Sequence, residues 1–137
     1  MNRKISYQKN ERVYYEHTDA GGVVYHAKYL NFLERCRSDW LADIGWDVAT
    51  TLERNGIMWV VREANLRYDV PARLFDEITV DCLVLHVGKV SLLVQQNIYN
   101  GDVLLCAATI KLATLDKTSF KLAAMPTELR TALSKAL

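Results

Sequence analysis

An aspartate directly ahead of a glycine pair is the part of this sequence whose residue types suggest chemistry. Asp19 precedes Gly21 and Gly22, and an amphipathic pattern begins right after this turn. A carboxylate beside a helix N-terminus combines a base or nucleophile with backbone N–H groups that can hold a developing oxyanion. Thr18-Asp19 ahead of an apolar run is also a common way to cap a helix. The pattern alone therefore leaves both catalysis and capping open.

The composition predicts one globular domain over residues 1–137. The 17 basic and 16 acidic residues give a net charge of +1, which argues against a nucleic-acid-binding protein because such proteins usually carry a basic face. Cys36, Cys82 and Cys106 are odd in number and lack metal-ligand spacing, so we expect no metal site and reduced, buried thiols in a cytoplasmic protein. We find no signal-peptide pattern and no stretch near the ~20 apolar residues of a transmembrane helix.

Apolar periodicity predicts a strand, a long helix and then four strands in succession. Intervals of three and four residues place the helix from Tyr29 to Ile44, with Gly45 as its stop. The other elements are expected at residues 11–16, 48–54 (a short helix), 58–70, 78–85, 90–98, 103–115 and, as a last helix, from 125. Because no βαβ alternation follows residue 56, the fold class is α+β with a largely antiparallel sheet. An exposed sheet edge would favour self-association.

A period of two after Gly56 assigns the next strand's residues to alternate faces. Trp59 and Val61 are expected on one face, and the other is expected to carry Met58, Val60, Ala64, Leu66, Tyr68 and Val70. Trp59 and Phe32 are expected to build the core or an interface. Cys36 falls on the apolar stripe of the long helix, which indicates packing rather than a nucleophile.

The run from Tyr15 to His26 resembles the signature of hotdog-fold acyl-CoA thioesterases of the 4-hydroxybenzoyl-CoA thioesterase type. Residues 29–37 resemble the start of that family's central helix, and residues 68–76 resemble a second family segment. The similarity extends over residues 8–125 and is greatest to bacterial thioesterases associated with the Tol–Pal cell-envelope system. His17 departs from the pattern, since relatives of this branch often carry an acid there. The resemblance implies a five-stranded antiparallel sheet wrapped around a long central helix.

The resemblance also implies an active site and an assembly. Asp19 aligns with the family's essential carboxylate, and His26 aligns with the helix-start position whose backbone N–H faces the thioester oxygen. A helix N-terminus expected at Gly22 to His26 offers unpaired N–H groups, so Gly22 and Val23 are expected to contact the substrate. The substrate is an acyl-CoA; coenzyme A is part of it, and no cofactor is expected. Family members form homodimers or homotetramers with sites between subunits.

Other residues have two interpretations each. Tyr15 lines the site or is an inward-facing strand tyrosine. Lys89 and Ser91 follow a turn where a coenzyme A phosphate or pantetheine arm would pass, although exposed basic turns are usually just solvated. A different hotdog branch uses a helix glutamate as its acid, but Glu34-Arg35 is also explained by a surface or interface ion pair.

The mechanism and one broader alternative stay open at this point. Asp19 would either attack the thioester and form an acyl-enzyme anhydride or deprotonate a water molecule. A hotdog dehydratase is the enzymatic alternative, although we find no histidine in a suitable setting. The other class is a non-enzymatic hotdog scaffold that binds cell-envelope or lipid-synthesis partners.

Overall fold

The computed structural model describes residues 4–137, which form an antiparallel sheet and three α-helices. The strands are β1 (Tyr7–Arg12), β2 (Ile57–Tyr68), β3 (Glu77–Val87), β4 (Ser91–Asn100) and β5 (Val103–Asp116). The helices are α1 (Lys28–Asp43), α2 (Val48–Asn55) and α3 (Thr127–Ser134). The five strands lie in the order β1-β3-β4-β5-β2, so β1 and β2 are the edges. The predicted α+β fold with one long helix is confirmed.

The apolar stripe of α1 explains its position against the sheet. Its buried apolar side chains recur at intervals of three and four residues: Tyr29, Phe32, Leu33, Cys36, Trp40 and Leu41. They belong to one core cluster with Val80 of β3, Val94 of β4 and Ile110 of β5, which are fully buried. The chain leaves the helix through Gly45, whose φ of +87° is a left-handed conformation that glycine adopts without strain.

The three cysteines contribute to this core and are buried and free. Burial raises the pKa of Cys36 to about 12 and that of Cys106 to about 11. Both thiols therefore stay protonated at neutral pH, which agrees with a packing role for Cys36 and argues against a thiolate nucleophile.

The first strand lies earlier in the chain than predicted. β1 covers Tyr7–Arg12 instead of residues 11–16, and Tyr15–His17 form a 3-10 turn. Beyond the strand, Val13 is fully buried and donates its N–H to the carbonyl of Asp76 at 2.9 Å. The weak alternation seen in the sequence therefore marks a buried anchor followed by a turn.

A β-bulge interrupts β2. Val61 pairs with Leu112 of β5, whereas Glu63 pairs with the adjacent residue, Lys111. Arg62 is thus the extra residue that has no pairing partner on β5, and the ladder shifts register at this point.

The bulge changes which side chains of β2 face α1. Residues directly opposite each other in an antiparallel pair share a face. Trp59, Val61 and Ala64 lie opposite Thr114, Leu112 and Ile110, which alternate along β5 and share its inner face, so the three residues of β2 share that face too. The prediction that placed Met58 and Val60 with Ala64 is wrong, because it assumed an uninterrupted alternation.

The two sheet edges differ. β1 has six residues and carries Lys9, which pairs with Glu11 at 3.3 Å and also with Asp39 of α1. β2 has 12 residues and leaves one whole edge without a strand partner among residues 4–137. A long free edge of this kind is a template for pairing with another chain. No helix in the described part of the chain is long and apolar enough to cross a membrane.

Candidate active site

Asp19 closes a tight turn. Its N–H donates to the carbonyl of Val23 at 3.0 Å, and its own carbonyl accepts from the N–H of Gly22 at 3.1 Å. The side-chain Oδ1 accepts from the N–H of Gly21 at 2.8 Å. Gly22 has a φ of +77°, which an L side chain would adopt only with strain. Asp19 therefore caps this turn and not a helix.

The carboxylate of Asp19 stays accessible within that turn. The residue is exposed, and its Oδ2 has no hydrogen-bond partner among residues 4–137. One oxygen thus fixes the orientation of the carboxylate while the other faces solvent. This arrangement suits a group that must reach a reacting atom.

Backbone hydrogen bonds fix the Asp19 turn to the rest of the fold. The N–H of Val24 donates to the carbonyl of Ala72 at 2.8 Å, and the N–H of Leu74 donates to the carbonyl of Gly22 at 3.1 Å. The hydroxyl of Tyr29, on α1, accepts from the N–H of Ala72 at 3.0 Å. Gly22 and Val23 therefore lie in a short bridged segment that joins the turn to the loop after β2.

The start of α1 corrects one prediction. The helix begins at Lys28, so Gly22 and Val23 are not in its first turn as expected. The N–H groups of His26 and Ala27, just before the helix, have no hydrogen-bond partner within the described part of the chain. These two groups are unpaired donors at the helix start, whereas the N–H of Gly22 is already bonded to the carbonyl of Asp19.

Two hydrogen bonds orient these N–H groups. The carbonyl of Tyr25 accepts from the N–H of Lys28 at 2.8 Å, and the carbonyl of His26 accepts from the hydroxyl of Tyr68 at 3.0 Å. In a trans peptide the N–H points opposite to the carbonyl of the same unit. Fixing those carbonyls therefore fixes the direction of the N–H groups of His26 and Ala27, as an oxyanion-binding pair requires.

Tyr68 is a residue that the sequence reasoning missed as a functional group. It ends β2, and its ring contacts that of Tyr29 edge-on at 5.2 Å. Burial raises the pKa of Tyr68, so its hydroxyl is a proton donor at neutral pH. Nothing in its sequence position signalled this bond, because the two partners are 42 residues apart.

The imidazole of His17 packs in the interior next to this turn. The ring is buried against Phe32 with ring centres 4.7 Å apart, and its Nδ1 accepts from the N–H of Tyr14 at 2.9 Å. Desolvation lowers the pKa of His17, against the opposing effect of Glu16, whose carboxylate is 3.3 Å from Nε2. Because Nδ1 accepts a hydrogen bond, the neutral ring carries its proton on Nε2.

The side chains of Tyr15 and His26 lie at the surface. Tyr15 is 73% exposed and contacts Phe75 edge-on at 5.5 Å, so the interpretation as an inward-facing strand tyrosine is wrong. The imidazole of His26 is exposed and packs against Tyr25 at 4.5 Å. Both are free to contact a ligand at the turn.

Lys89 and Ser91 lie at the other end of the sheet in the same chain. Ser91 pairs with Ala113, whereas Tyr68, beside His26, pairs with Cys106. Those β5 positions are seven residues apart, or about 23 Å. A single chain therefore does not bring Lys89 and Ser91 to Asp19.

Two further predictions concern α1 and metals. Arg35 lies 4.0 Å from Glu11 instead of pairing with Glu34, whose carboxylate accepts from the hydroxyl of Ser38 at 3.0 Å. Across residues 4–137 we find no group of three or more His, Cys, Asp or Glu side chains that could hold a metal ion.

Comparisons with known proteins agree with this fold. The model of the thioesterase superfamily matches residues 21–107. The chain is 40% identical to the acyl-CoA thioesterase YbgC of Haemophilus influenzae, over 88% of this chain and 89% of the relative. It is 36% identical to the acyl-CoA thioester hydrolase YbgC of Escherichia coli O6:H1, over 84% and 86% respectively. A crystal structure of a probable thioesterase from Bartonella henselae superposes with a TM-score of 0.83 at 30% identity, covering 87% of this chain and 98% of that one.

Proposed function

The chain belongs to the thioesterase superfamily and has its hotdog fold, and on that premise we propose that it hydrolyses acyl-CoA thioesters with Asp19 as the catalytic carboxylate. One observation carries the proposal. An accessible carboxylate on a rigid turn precedes two unpaired, oriented N–H groups at the start of α1. A thioester needs a nucleophile or base on one side of its carbonyl and an oxyanion partner on the other.

The reaction assigns a role to each group. Asp19 either attacks the carbonyl carbon or takes a proton from the attacking water. The oxygen that becomes negative binds the N–H groups of His26 and Ala27. The C–S bond then breaks, coenzyme A leaves as a thiolate that takes up a proton, and water either hydrolyses the anhydride or adds directly to the carbonyl to give the free acid. In a single turnover in ¹⁸O-labelled water, label in Asp19 would establish the anhydride route, because only attack of water on the Asp19 carbonyl of an anhydride can place it there.

The remaining substrate contacts require a second copy of the chain. Antiparallel pairing of two β2 edges about a two-fold axis sets the Tyr68 end of one copy beside the Ile57 end of the other. Ser91 lies at the Ile57 end, since its β5 partner Ala113 also pairs with Val60. We therefore propose a homodimer, or a homotetramer built from it, in which Lys89 and Ser91 of one subunit contact the substrate that reacts at Asp19 of the other. Tyr15 would line the same entrance.

The deciding experiment is Asp19→Asn assayed for thiol release from a panel of acyl-CoAs. Asparagine keeps the oxygen that accepts from Gly21, so the turn should survive. Loss of the base or nucleophile should lower kcat by roughly 10²–10⁴-fold. Asp102→Asn, at the exposed β4–β5 turn, is the matched control and should retain full activity. Equal activity in Asp19→Asn and wild type would rule out Asp19 as the catalytic carboxylate.

Other predictions concern the cellular setting. The similarity of this chain to acyl-CoA thioesterases favours an enzyme over a purely non-enzymatic scaffold. Association with the Tol–Pal system and a cytoplasmic location stay predictions. Sedimentation at micromolar concentration tests the assembly, and a purely monomeric protein would contradict a site shared between subunits.

A further inference from the structure

A largely apolar cavity lies between α1, α2 and β2. It has a volume of about 170 Å³, and its apolar lining comes from Trp40, Leu41, Val48, Trp59, Leu92 and Leu112. A cavity of roughly 150 Å³ in another protein's apolar core holds benzene, so this one has room for about six carbon atoms. Its shape and lining suit the far end of a short acyl group.

A buried cation faces this cavity. Arg37 is 9% exposed and lines the cavity beside the apolar residues. One of its terminal nitrogens donates to Oε1 of Gln96 at 3.0 Å, and Gln96 in turn donates to the carbonyls of Leu33 at 3.1 Å and Asp81 at 3.2 Å. This network holds the guanidinium in one position through a neutral amide.

Arg37 forms no direct ion pair within the described residues. No carboxylate within residues 4–137 lies within 4.0 Å of its nitrogens. Glu34, an exposed residue that also lines the cavity, accepts from the hydroxyl of Ser38 instead. A buried charge without a close opposite charge is costly unless something supplies one. Desolvation lowers the pKa of Arg37, and the charge of Glu34 opposes that shift only in part.

The rest of the wall is apolar apart from two polar residues. The indole of Trp59 lines the cavity, and the β2 bulge is what turns it to the inner face. Glu34 and Ser38 complete the lining and are hydrogen-bonded to each other. The cavity thus combines an apolar body with one buried cation.

The two-fold pairing proposed above brings this cavity to a catalytic turn. Along one chain, Arg37 lies nine residues past Lys28, about 14 Å from the start of α1. The cavity is lined by Trp59, Val60 and Val61, at the Ile57 end of β2, which faces the Tyr68 end of the other copy. An acyl group attacked by Asp19 of the partner subunit can therefore extend into it.

We propose that this cavity binds the far end of the acyl group and that Arg37 selects short acyl groups that end in a carboxylate. This inference rests on the proposed thioesterase activity and on the two-fold assembly. The carboxylate pairs with the guanidinium of Arg37, while the methylene groups pack on the tryptophans. A neutral chain of equal length leaves the buried charge uncompensated.

The test compares adipyl-CoA with hexanoyl-CoA, which have six acyl carbons each and differ in the terminal carboxylate. Wild type should show a kcat/KM for adipyl-CoA on the order of tenfold or more above that for hexanoyl-CoA, because a site built for a polar group rejects the analogue that lacks it. Arg37→Met removes the charge at similar length and should reverse the preference. Arg130→Met, at an exposed position of α3, is the matched control and should keep the wild-type preference.

Arg37→Lys guards against a folding defect in Arg37→Met. It keeps the positive charge and should retain a preference for adipyl-CoA over hexanoyl-CoA. Equal or better hydrolysis of hexanoyl-CoA by wild type overturns the inference and leaves the proposed function intact. Loss of self-association in Arg37→Met, without a charge preference in wild type, would assign the missing counter-ion to the second copy and also overturn it. No hydrolysis of any acyl-CoA would instead contradict the proposed function.

Discussion

Removing one hydroxyl group tests whether the oxyanion site is pre-oriented. Tyr68→Phe deletes the hydrogen bond to the carbonyl of His26 and leaves the ring to pack edge-on against Tyr29. The peptide unit between His26 and Ala27 then loses the hydrogen bond that holds its carbonyl. The N–H of Ala27 can therefore rotate away from the oxyanion position. The substitution thus changes orientation without removing a donor.

The size of the effect can be bounded from both sides. A typical hydrogen bond contributes about 0.5–1.5 kcal/mol, and each 1.36 kcal/mol of barrier is tenfold in rate. If that energy is spent on orientation in the transition state, kcat should fall by about 2- to 12-fold. Outright loss of an oxyanion donor costs roughly 10²–10³-fold, which sets the upper limit. KM should change little, because the substrate's ground state does not need the oriented N–H.

The assay is steady-state thiol release with one acyl-CoA, alongside urea unfolding of each variant. Tyr99→Phe is the matched control, since among residues 4–137 its hydroxyl is bonded only to the side-chain amide of Asn97, at 3.2 Å. A positioning role requires a lower kcat at near wild-type stability in Tyr68→Phe and no change in the control. An unchanged kcat refutes the orientation argument. A loss beyond a hundredfold would also refute it, because the hydroxyl would then have to contact the reacting group itself.

Two other predictions concern the support of the turn. Gly22→Ala should destabilise the protein by about 1–2 kcal/mol in urea unfolding, although its side chain would meet nothing within 4 Å, because φ is +77° there; an unchanged midpoint would show that the turn relaxes freely. For His17, the folded-state pKa lies below the usual 6.5, so the unfolded chain binds the proton first as pH falls. Stability should therefore decline below about pH 6.5 and level off below the folded pKa, and His17→Gln should lack this decline; a pH dependence equal to wild type would exclude His17 as its source.

The periodic elements of this fold were predictable because each follows from a local pattern. The helix expected from Tyr29 to Ile44 lies at Lys28–Asp43, and the strands expected at residues 90–98 and 103–115 are β4 and β5. Apolar spacing in α1 and alternation in β3 and β4 report burial directly, since those faces meet the core. The first strand was misplaced because a buried Val13 and a 3-10 turn imitate a short alternation.

The turn that holds Asp19 was predictable from the sequence, and the N–H of His26 was expected only through the family resemblance, whereas the orientation of the donors was not predictable. Asp19 stands out in sequence because it precedes two glycines, and Gly22 does adopt the left-handed conformation that such a turn needs. The direction of the donor N–H groups depends on the residue at which the helix begins and on which carbonyl groups accept hydrogen bonds. One of those bonds comes from Tyr68, whose partner is remote in sequence, so no local pattern encodes it.

The β2 bulge shows how a single residue can make part of a site unpredictable from local sequence patterns. Arg62 adds a single position to the strand, and every side chain before it moves to the opposite face relative to those after it. That shift places Trp59 and Val61 on the inner face, where they form the wall of the cavity beside Arg37 together with Val60. A strict alternation with Ala64 on the inner face would place Trp59 on the outer face and remove it from this wall. The acyl selectivity proposed for this protein therefore depends on an irregularity that hydrophobic periodicity cannot locate, and deletion of Arg62 should abolish the preference for adipyl-CoA even where thioester hydrolysis survives.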